Sequence, residues 1–500
     1  MLRIDFLVAL IALPSLILAA PSGFNSFAST KRQVNSWPQD LNGLVVEVDD
    51  PSFDELSVRW STFEPPTFDA VFVPESEEDL TNGLAYLTSE GIPFLTKSGG
   101  HGYSITLNSI QDAVQINMAA FNSVTMNEDL SVTVGSGANL NDFVQVVGGA
   151  GREAPVGSCP CVGVMGATLG GGIGRLQGLH GLMSDAVRSF RIALWNGTLI
   201  EASADVNSNL FWGMRGAGQN FGVVTEAVFE TYPATNGGLN YEAQLELPVE
   251  TLGEIIDLIN PMLPLDPALA IVTIVASNAT TLETVVLMNI VYIGPEEEGR
   301  AYAQPFIDLS VNSVESILTW VDLPTQGSGG FNNVQCVPGR RNDLYGQTIA
   351  TIDKESVLEM TQSLTTLIQE NPLLNASSFL IESFPVQRLD AIPKRSSAFP
   401  HRGHVDHYFE ILVSFTDDSV SEVGDNWARE WRNHFSQPEV SGWDSWVIYQ
   451  NYAHGDEPPS ILYGTERWRQ ARLTALKNTY DPHGFFDGYH PIPRRLQDWS

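Results

Sequence analysis

Apolar and polar positions along residues 66–235 change repeatedly between strand-like alternation and helical spacing. Residues 68–74 (FDAVFVP) have the β-rich pattern of a strand, and residues 76–91 predict a helix with an acidic first turn that ends at Gly91. The other predicted strands are residues 112–118, 130–137, 189–195 and 223–233, and a further helix is predicted over 140–151. This mixture predicts an α+β unit.

The hydrophobic pattern changes over residues 236–435, where the stretches of alternating apolar and polar residues are longer. Strands are predicted over residues 237–247, 269–277, 280–294 and 404–415, and helices over 297–309 and 356–371. Neighbouring strands covered by helices on one side predict a second domain built on a large antiparallel sheet. The last segment, 436–500, predicts a strand around YQNY, a loop and a helix that ends at a Pro-Gly turn.

The N-terminus has the form of a secretory signal peptide over residues 1–20. One arginine precedes an apolar run, which Pro14 interrupts, and the small residues Ala19 and Ala20 follow. The alternative, a membrane anchor, needs a longer uninterrupted run. N-x-[ST] sequons are typical of glycosylated secreted proteins, and three occur, at Asn196, Asn278 and Asn375. We therefore expect a secreted glycoprotein with no membrane segment after signal removal.

The net charge and the number of cysteines exclude further classes of protein. The 500 residues carry 59 acidic and 26 basic side chains, a formal net charge of −33, which repels phosphate backbones and anionic lipid surfaces. Nucleic-acid binding is therefore not expected. Only three cysteines occur, Cys159, Cys161 and Cys336, so a disulfide-built scaffold is excluded and at least one thiol has no partner within the chain.

Glycine-rich turns are the main candidates for a binding site. They lie at residues 97–103 (KSGGHGY), 170–178 and 215–222. None is a clean dinucleotide or Walker-type loop, yet several turns of bare backbone N–H groups can hold a pyrophosphate without Lys or Arg. A metal site is not predicted: if residues 404–415 form a strand, His404 points away from His401 and His407, and no zinc or serine-hydrolase motif occurs.

Six motifs occur in a fixed order: KSGGHGY, the segment GSCPCVGVMGATLGGGIGRLQG, FWGMRGAGQNFGVVTEAVF, AFPHRG, YQNY and DPHGFF. Together they closely resemble the berberine-bridge-enzyme-like FAD-linked oxidases, which have the vanillyl-alcohol-oxidase (PCMH-type) flavoprotein fold. The resemblance covers about residues 60–495. It implies an FAD-binding domain over 21–235 with its core at 66–235, a substrate domain over 236–435, and a C-terminal segment, 436–500, that returns to the FAD domain.

The resemblance also implies the flavin attachments. The histidine of the GGH turn, here His101, carries FAD through the flavin 8α-methyl group, and Cys159 stands where bicovalent members attach flavin C6. A disulfide or a buried thiol is the alternative for Cys159, and a Cys161–Cys336 disulfide stays open. The expected cofactor-contacting residues are His101, Cys159, Ser98, Gly99, Gly100, Gly102, Tyr103, Gly163, Gly166, Gly170, Gly222, Val223 and Asn451.

Tyr452, the last tyrosine of YQNY, is the expected catalytic base, and packing against the flavin edge is its alternative role. A phenol has a pKa near 10, so this role needs surroundings that stabilise phenolate. His401 and Arg402 of AFPHRG are weaker candidates. Ala167 replaces a histidine of the plant members, which makes the pattern more like that of secreted fungal members, many of them associated with secondary metabolism.

The predicted activity is hydride transfer from a small natural-product alcohol or phenol to FAD, followed by reoxidation with O2 to give H2O2. An oligosaccharide oxidase acting on C1 hydroxyls is the chemical alternative. Two further alternatives are a flavin dehydrogenase that reacts poorly with O2 and a flavoprotein that has lost catalysis and persists as a binding protein. The substrate and the oligomeric state are left open.

Overall fold

The computed structural model describes residues 37–278 and 281–499. The predicted signal peptide, residues 1–20, lies outside this part of the chain. Among the helices of the described ranges, none combines the length and apolar character needed to cross a membrane.

Two sheets form the N-terminal lobe, which we define as residues 45–233. One has four strands in the order β1-β2-β4-β3, the other has five in the order β5-β6-β10-β8-β9, and β11 pairs with β7 in a short ribbon. The bounds are β1 (Val45–Glu47), β2 (Phe68–Phe72), β3 (Phe94–Lys97), β4 (Ala113–Asn117), β5 (Val124–Met126), β6 (Val132–Gly135), β7 (Arg152–Glu153), β8 (Val187–Ala193), β9 (Leu199–Ser203), β10 (Val223–Phe229) and β11 (Tyr232–Pro233).

A seven-stranded sheet follows, in the order β15-β12-β14-β13-β17-β18-β16, and all its neighbouring strands are antiparallel. The predicted large antiparallel sheet is therefore confirmed. Three of its strands, β15, β16 and β17, were not among the predicted elements. The bounds are β12 (Leu239–Leu247), β13 (Leu269–Ser277), β14 (Thr284–Tyr292), β15 (Asn312–Thr319), β16 (Arg341–Ile349), β17 (Ser378–Ser383) and β18 (His407–Phe415).

The helices begin and end at recognisable local signals. In the helix Glu77–Glu90 the hydroxyl of Ser76 accepts from the Asp79 amide, and Gly91 ends the helix at φ +66°. The bounds are α1 (Phe53–Ser57), α2 (Glu77–Glu90), α3 (Leu140–Gly149), α4 (Val164–Gly170), α5 (Gln177–His180), α6 (Ser208–Ala217), α7 (Leu252–Ile259), α8 (Glu296–Ile307), α9 (Leu323–Gln326), α10 (Phe331–Val334), α11 (Lys354–Glu370), α12 (Gln387–Ala391), α13 (Ser421–Phe435), α14 (Pro438–Ser441), α15 (Pro459–Tyr463) and α16 (Arg467–Tyr480).

One continuous hydrophobic core joins the parts of the chain. It includes Phe143 of α3, Ile271 of β13 and Leu473 of α16, all at most 1% exposed. Helices α11 and α13 pack on the seven-stranded sheet, and α16 packs against α6 of the N-terminal lobe. The C-terminal segment thus completes the core of the first lobe after the chain has left the large sheet.

The strand predicted around YQNY is wrong, because Gln450–Tyr452 form a turn of 3-10 helix. The alternation of side chains expected in a strand therefore does not apply to Gln450, Asn451 and Tyr452. The strand argument for the three histidines also needs correction: β18 begins at His407, so the other two histidines precede it.

Candidate active site

A cavity of about 470 Å³ lies between the glycine-rich turns of the N-terminal lobe and the seven-stranded sheet. Its volume falls within the roughly 300–1,000 Å³ typical of small-molecule sites. The turn after β3, the segment 157–167, four strands of the large sheet and the turn 449–452 all contribute to its wall. The cavity therefore brings together segments that are far apart in the sequence.

Most of the residues predicted for cofactor contact line this cavity. Gly170 does not; a Cβ there would lie 2.0 Å from Asn451 Oδ1, so this glycine makes room for the Asn451 side chain. His401 and Arg402 are also absent from the wall; Arg402 instead forms a buried ion pair with Asp185. The predicted residues on the wall are Ser98, Gly99, Gly100, His101, Gly102, Tyr103, Cys159, Gly163, Gly166, Gly222, Val223, Asn451 and Tyr452.

Two glycines allow the histidine turn and the cysteine segment to touch. A Cβ on Gly99 would lie 2.3 Å from the Gly163 amide nitrogen, and a Cβ on Gly163 would lie 2.5 Å from the Gly99 nitrogen. Gly100 then adopts φ +74°, which favours glycine. Ser98 Oγ donates to the Ser136 carbonyl at 2.6 Å and fixes the start of the turn. The histidine turn is therefore held by close backbone contacts and by one side-chain hydrogen bond.

The imidazole of His101 is held in its neutral form. Burial, followed by the nearby Arg59 guanidinium, lowers its pKa to about 4. The ring stacks on Trp60, with centroids 5.4 Å apart and planes inclined by 17°. A neutral imidazole keeps one nitrogen lone pair free, which is the form that can attack an electrophilic carbon.

The cysteines occupy the same end of the cavity. Cys161 and Cys336 form a disulfide, and Cys159 is free, so the alternative that Cys159 is disulfide-bonded is wrong. Burial raises the pKa of the Cys159 thiol to about 11. Cys159 lines the cavity as a neutral thiol at neutral pH.

Asn451 is fixed from two sides. Its amide donates to the Ala167 carbonyl at 3.0 Å and to the Tyr449 hydroxyl at 2.7 Å. The Tyr449 hydroxyl in turn accepts from the Gly172 amide at 3.0 Å. These contacts connect the YQNY turn to α4 and to the glycine-rich segment after it.

Tyr452 donates to Glu382 of β17 at 2.8 Å. Burial and the nearby carboxyls hold the pKa of Tyr452 well above its usual value of 10, so the phenol keeps its proton. Burial raises the pKa of Glu382 to about 7, although the Tyr452 hydrogen bond and the charge of Arg175 oppose this rise. Glu382 is therefore the stronger proton acceptor of the pair at neutral pH.

A second carboxyl lies beside the first. Glu410 of β18 and Glu382 are diagonal neighbours on paired strands, since Leu380 stands opposite Glu410. Tyr103 donates to Glu410 at 3.2 Å. Burial, and then repulsion from Glu382, raises the pKa of Glu410 to about 8. The two carboxyls and two phenols form one buried acidic cluster on the sheet side of the cavity.

Sequence reasoning missed both glutamates. Glu382 lies on β17, which was not predicted, and Glu410 lies on a predicted strand as one polar residue among apolar neighbours. An acidic residue in the middle of a buried strand was the available signal, because carboxylates are rarely buried without a role.

The wall fits a flavin cofactor. Buried polar atoms that find no hydrogen-bond partner among the described residues include Ser136 Oγ, Ser158 Oγ and Arg175 Nε, and all three residues line the cavity. A Cβ on Gly166 of α4 would meet nothing within 4 Å, so that face of the helix is open to a ligand. Orphaned donors together with an open glycine face suit a large polar ring system.

Sequence comparison places the chain among known proteins. Residues 68–203 match the FAD-binding domain family. An FAD-linked oxidoreductase of Neurospora crassa, srdI, is 32% identical over 449 residues, which cover 88% of each chain. The protein belongs to the family of FAD-linked oxidoreductases.

Solved structures show the same fold. BBE-like 1 of Physcomitrella patens has a TM-score of 0.78 at 20% identity, covering 90% of this chain and 97% of the other. Xylooligosaccharide oxidase from Myceliophthora thermophila, in complex with xylobiose, has a TM-score of 0.74 at 20% identity, covering 90% and 96%. The expected fold, with a PCMH-type FAD-binding part and a large antiparallel sheet, is confirmed.

Proposed function

We propose that this oxidoreductase oxidises a small, largely apolar alcohol or phenol, and that Glu382 with Tyr452 removes the substrate proton. The observation that carries this proposal is the hydrogen bond from Tyr452 to a buried carboxyl whose pKa lies at about 7. A carboxyl with that pKa is partly ionised at neutral pH, where a general base works best. FAD supplies the hydride acceptor when it is bound.

The proton has a defined path in this proposal. The substrate hydroxyl hydrogen-bonds to the Tyr452 oxygen while Tyr452 donates to ionised Glu382, so one proton passes to the phenol as the phenol gives its own to the carboxylate. If Glu382 instead accepts the substrate proton directly, the overall charge balance is the same. Tyr452 relays the proton in the first case and orients the substrate hydroxyl in the second, and neither case needs a free phenolate. Glu410, with the higher pKa, stays protonated and adds no second negative charge.

The cavity wall supports an apolar substrate. The large sheet contributes Val272, Ile274, Leu344, Leu380 and Leu412 to it. A sugar ring needs many hydrogen-bond partners and often an aromatic platform. Among the described lining residues the only tryptophan is Trp60, which already stacks on His101, and the other aromatic side chains are those of phenylalanine and tyrosine. We therefore rank a natural-product alcohol or phenol above an oligosaccharide.

The attachment of the flavin is part of the proposal. His101 is the neutral nucleophile for the first bond and Cys159 the thiol for a second, because both line one end of the cavity. Dioxygen is the proposed electron acceptor, with H2O2 as product. We also propose secretion: the N-terminal apolar segment, the Cys161–Cys336 disulfide and the exposed sequon residues Asn196 and Asn278 agree with it.

A peroxide-coupled screen of purified holoenzyme tests the function. Aliphatic and aromatic alcohols, phenols and small oligosaccharides are compared at equal concentration, with oxygen uptake recorded beside reduction of an artificial dye. Peroxide from an apolar alcohol or phenol supports the proposal. Turnover of oligosaccharides alone would mean that the substrate class is oligosaccharides and not apolar alcohols or phenols. Dye reduction without oxygen uptake identifies a dehydrogenase. A flavin that no substrate class reduces under anaerobic conditions identifies the non-catalytic alternative.

A further inference from the structure

Three sulfur atoms cluster at the histidine end of the cavity. Those of Cys159, Cys161 and Cys336 all lie within 4.8 Å of one another. Cys159 Sγ is 3.5 Å from Cys161 Sγ and 3.9 Å from Cys336 Sγ, while the last two sulfurs are bonded to each other. Two cysteines on either side of one proline therefore compete for the same space, and the disulfide decides which of them is a thiol.

The two competing sulfurs differ in what they face. Cys159 lines the cavity, whereas Cys161 and Cys336 do not. Cys161 Sγ nevertheless lies 3.2 Å from His101 Nε2, beside the residue expected to carry the flavin. Position alone thus does not separate the two cysteines, because a change of side-chain rotamer moves a sulfur by a comparable distance.

The segment that carries Cys336 is anchored at this end of the cavity by other contacts. Asn332 donates from its amide to the Ser158 carbonyl at 3.1 Å, next to Cys159. The Trp60 indole donates to the Gln335 carbonyl at 2.6 Å. These two hydrogen bonds thus hold the segment of Cys336 beside the cysteine pair in addition to the disulfide.

We propose that Cys336 selects the flavin attachment site: by holding Cys161 in a disulfide, it leaves Cys159 as the one thiol to which the flavin can bond. The inference rests on the proposed function, since it needs a flavin at His101. It adds a role for the Cys161–Cys336 pair, which is to keep the second attachment at a single residue.

The covalent step balances as follows. The free thiol sulfur bonds to a hydrogen-bearing ring carbon of the oxidised flavin, and the thiol hydrogen and the ring hydrogen both leave as protons. The two electrons enter the flavin, and dioxygen takes them up to give H2O2. A disulfide sulfur cannot take this part, because the thiolate is the nucleophile.

Two matched double variants test the proposal, since both lack the disulfide and each keeps one cysteine of the pair. Cys161→Ser/Cys336→Ser retains Cys159, and Cys159→Ser/Cys336→Ser retains Cys161. Holoenzymes are acid-denatured and digested with trypsin with and without reductant. Fragment spectra are essential, because Cys159 and Cys161 fall in one tryptic peptide, between Arg152 and Arg175.

We expect wild-type enzyme to carry flavin on His101 and Cys159 together with the Cys161–Cys336 disulfide. The variant that retains Cys159 should keep flavin there, which shows that the bridge itself is not needed. The variant that retains Cys161 should carry flavin on Cys161. Cys336→Ser alone, which retains both thiols, is a second measurement if that double variant does not fold, and should divide the flavin between Cys159 and Cys161.

Other outcomes overturn the inference. If the variant that retains Cys161 carries flavin on His101 only, while the variant that retains Cys159 carries flavin on Cys159 as well, position alone selects the thiol. Flavin on Cys159 alone in Cys336→Ser leads to the same conclusion, and a wild-type Cys159–Cys336 disulfide excludes the proposed selection. Wild-type flavin on His101 only, with the bridge intact, defeats this inference and leaves the proposed function standing. No flavin on any wild-type peptide defeats the covalent part of both proposals.

Discussion

Tyr452 donates its hydroxyl hydrogen to Glu382 at 2.8 Å, although the two residues lie 70 positions apart in the chain. A strand glycine makes this contact possible. A Cβ on Gly346 of β16 would lie 2.3 Å from the Tyr452 carbonyl oxygen, so the absence of a side chain lets the YQNY turn rest on the sheet. The proposed proton acceptor and its hydrogen-bond donor are thus brought together by close backbone packing.

Replacing Glu382 by Gln should lower kcat/KM for the alcohol found by screening by about 100-fold or more, because a general base contributes about 10²–10⁴ in rate. Flavin content should stay at the wild-type level, since the substitution lies on the sheet side of the cavity. The exposed Glu370→Gln of α11 is the matched control and should change neither quantity. Unchanged flavin reduction in Glu382→Gln, measured by anaerobic stopped flow, would remove Glu382 from the mechanism.

Replacing Tyr452 by Phe should move the pH–rate profile to higher pH. The Tyr452 hydrogen bond lowers the pKa of Glu382, so its loss raises that pKa above about 7, and the ionised base appears only at more alkaline pH. The measurement is kcat/KM from pH 5.5 to 9.5. Tyr302→Phe removes a hydroxyl from a tyrosine–carboxylate pair outside the cavity, with Asp266, and should leave the profile in place. A shift to lower pH would contradict the assignment.

Replacing Glu410 by Gln should stabilise the protein more at pH 9 than at pH 5. The pKa of Glu410 is raised from 4.5 to about 8 in the folded state, so its favourable contribution is complete below 4.5 and is lost as the pH rises through 8. The difference between the two pH values should be on the order of 4 kcal/mol, because one pKa unit corresponds to about 1.4 kcal/mol. Thermal unfolding of both proteins at the two pH values measures it, and an equal difference at pH 5 and 9 would show that Glu410 is not buried as described.

Replacing Gly166 by Ala should leave the fold intact and reduce flavin binding. The new methyl group meets no protein atom within 4 Å and points into open space on the cavity wall, where the cofactor is expected to lie. Gly149→Ala is the matched control, a helical glycine with equally open space that lies outside the cavity. The readouts are the flavin-to-protein absorbance ratio and the melting temperature. Full flavin loading of Gly166→Ala would place the cofactor elsewhere in the cavity.

Periodicity predicted the elements whose apolar pattern is strong and local. Helix Glu77–Glu90 and strand Leu269–Ser277 follow from their own residues, because capping signals and buried alternation act over a few positions. The YQNY turn was predicted as a strand, since its apolar letters suit both states. Its conformation is instead set by packing on Gly346, a contact that no local pattern contains.

The site divides in a similar way. The glycine-rich turns with His101 and Cys159 were identified from motifs, because close backbone approach demands glycine at fixed positions. Glu382 and Glu410 were missed, since their role depends on which strands pair and which face meets the cavity. The disulfide partner of Cys161 was undecided for the same reason: it joins residues 175 positions apart.

That long-range bridge also determines how the molecule responds to a protease. A single cut anywhere between Cys161 and Cys336 gives two fragments that stay linked, so a denaturing gel without reductant shows one band of full mass. A cut before His101 or after Cys336 separates the fragments under either condition, and a cut between His101 and Cys159 leaves them joined under both when the proposed flavin bridges these two residues. The pair of gels thus sorts accessible cleavage points by region of the chain, and it also reports whether a given preparation contains the disulfide.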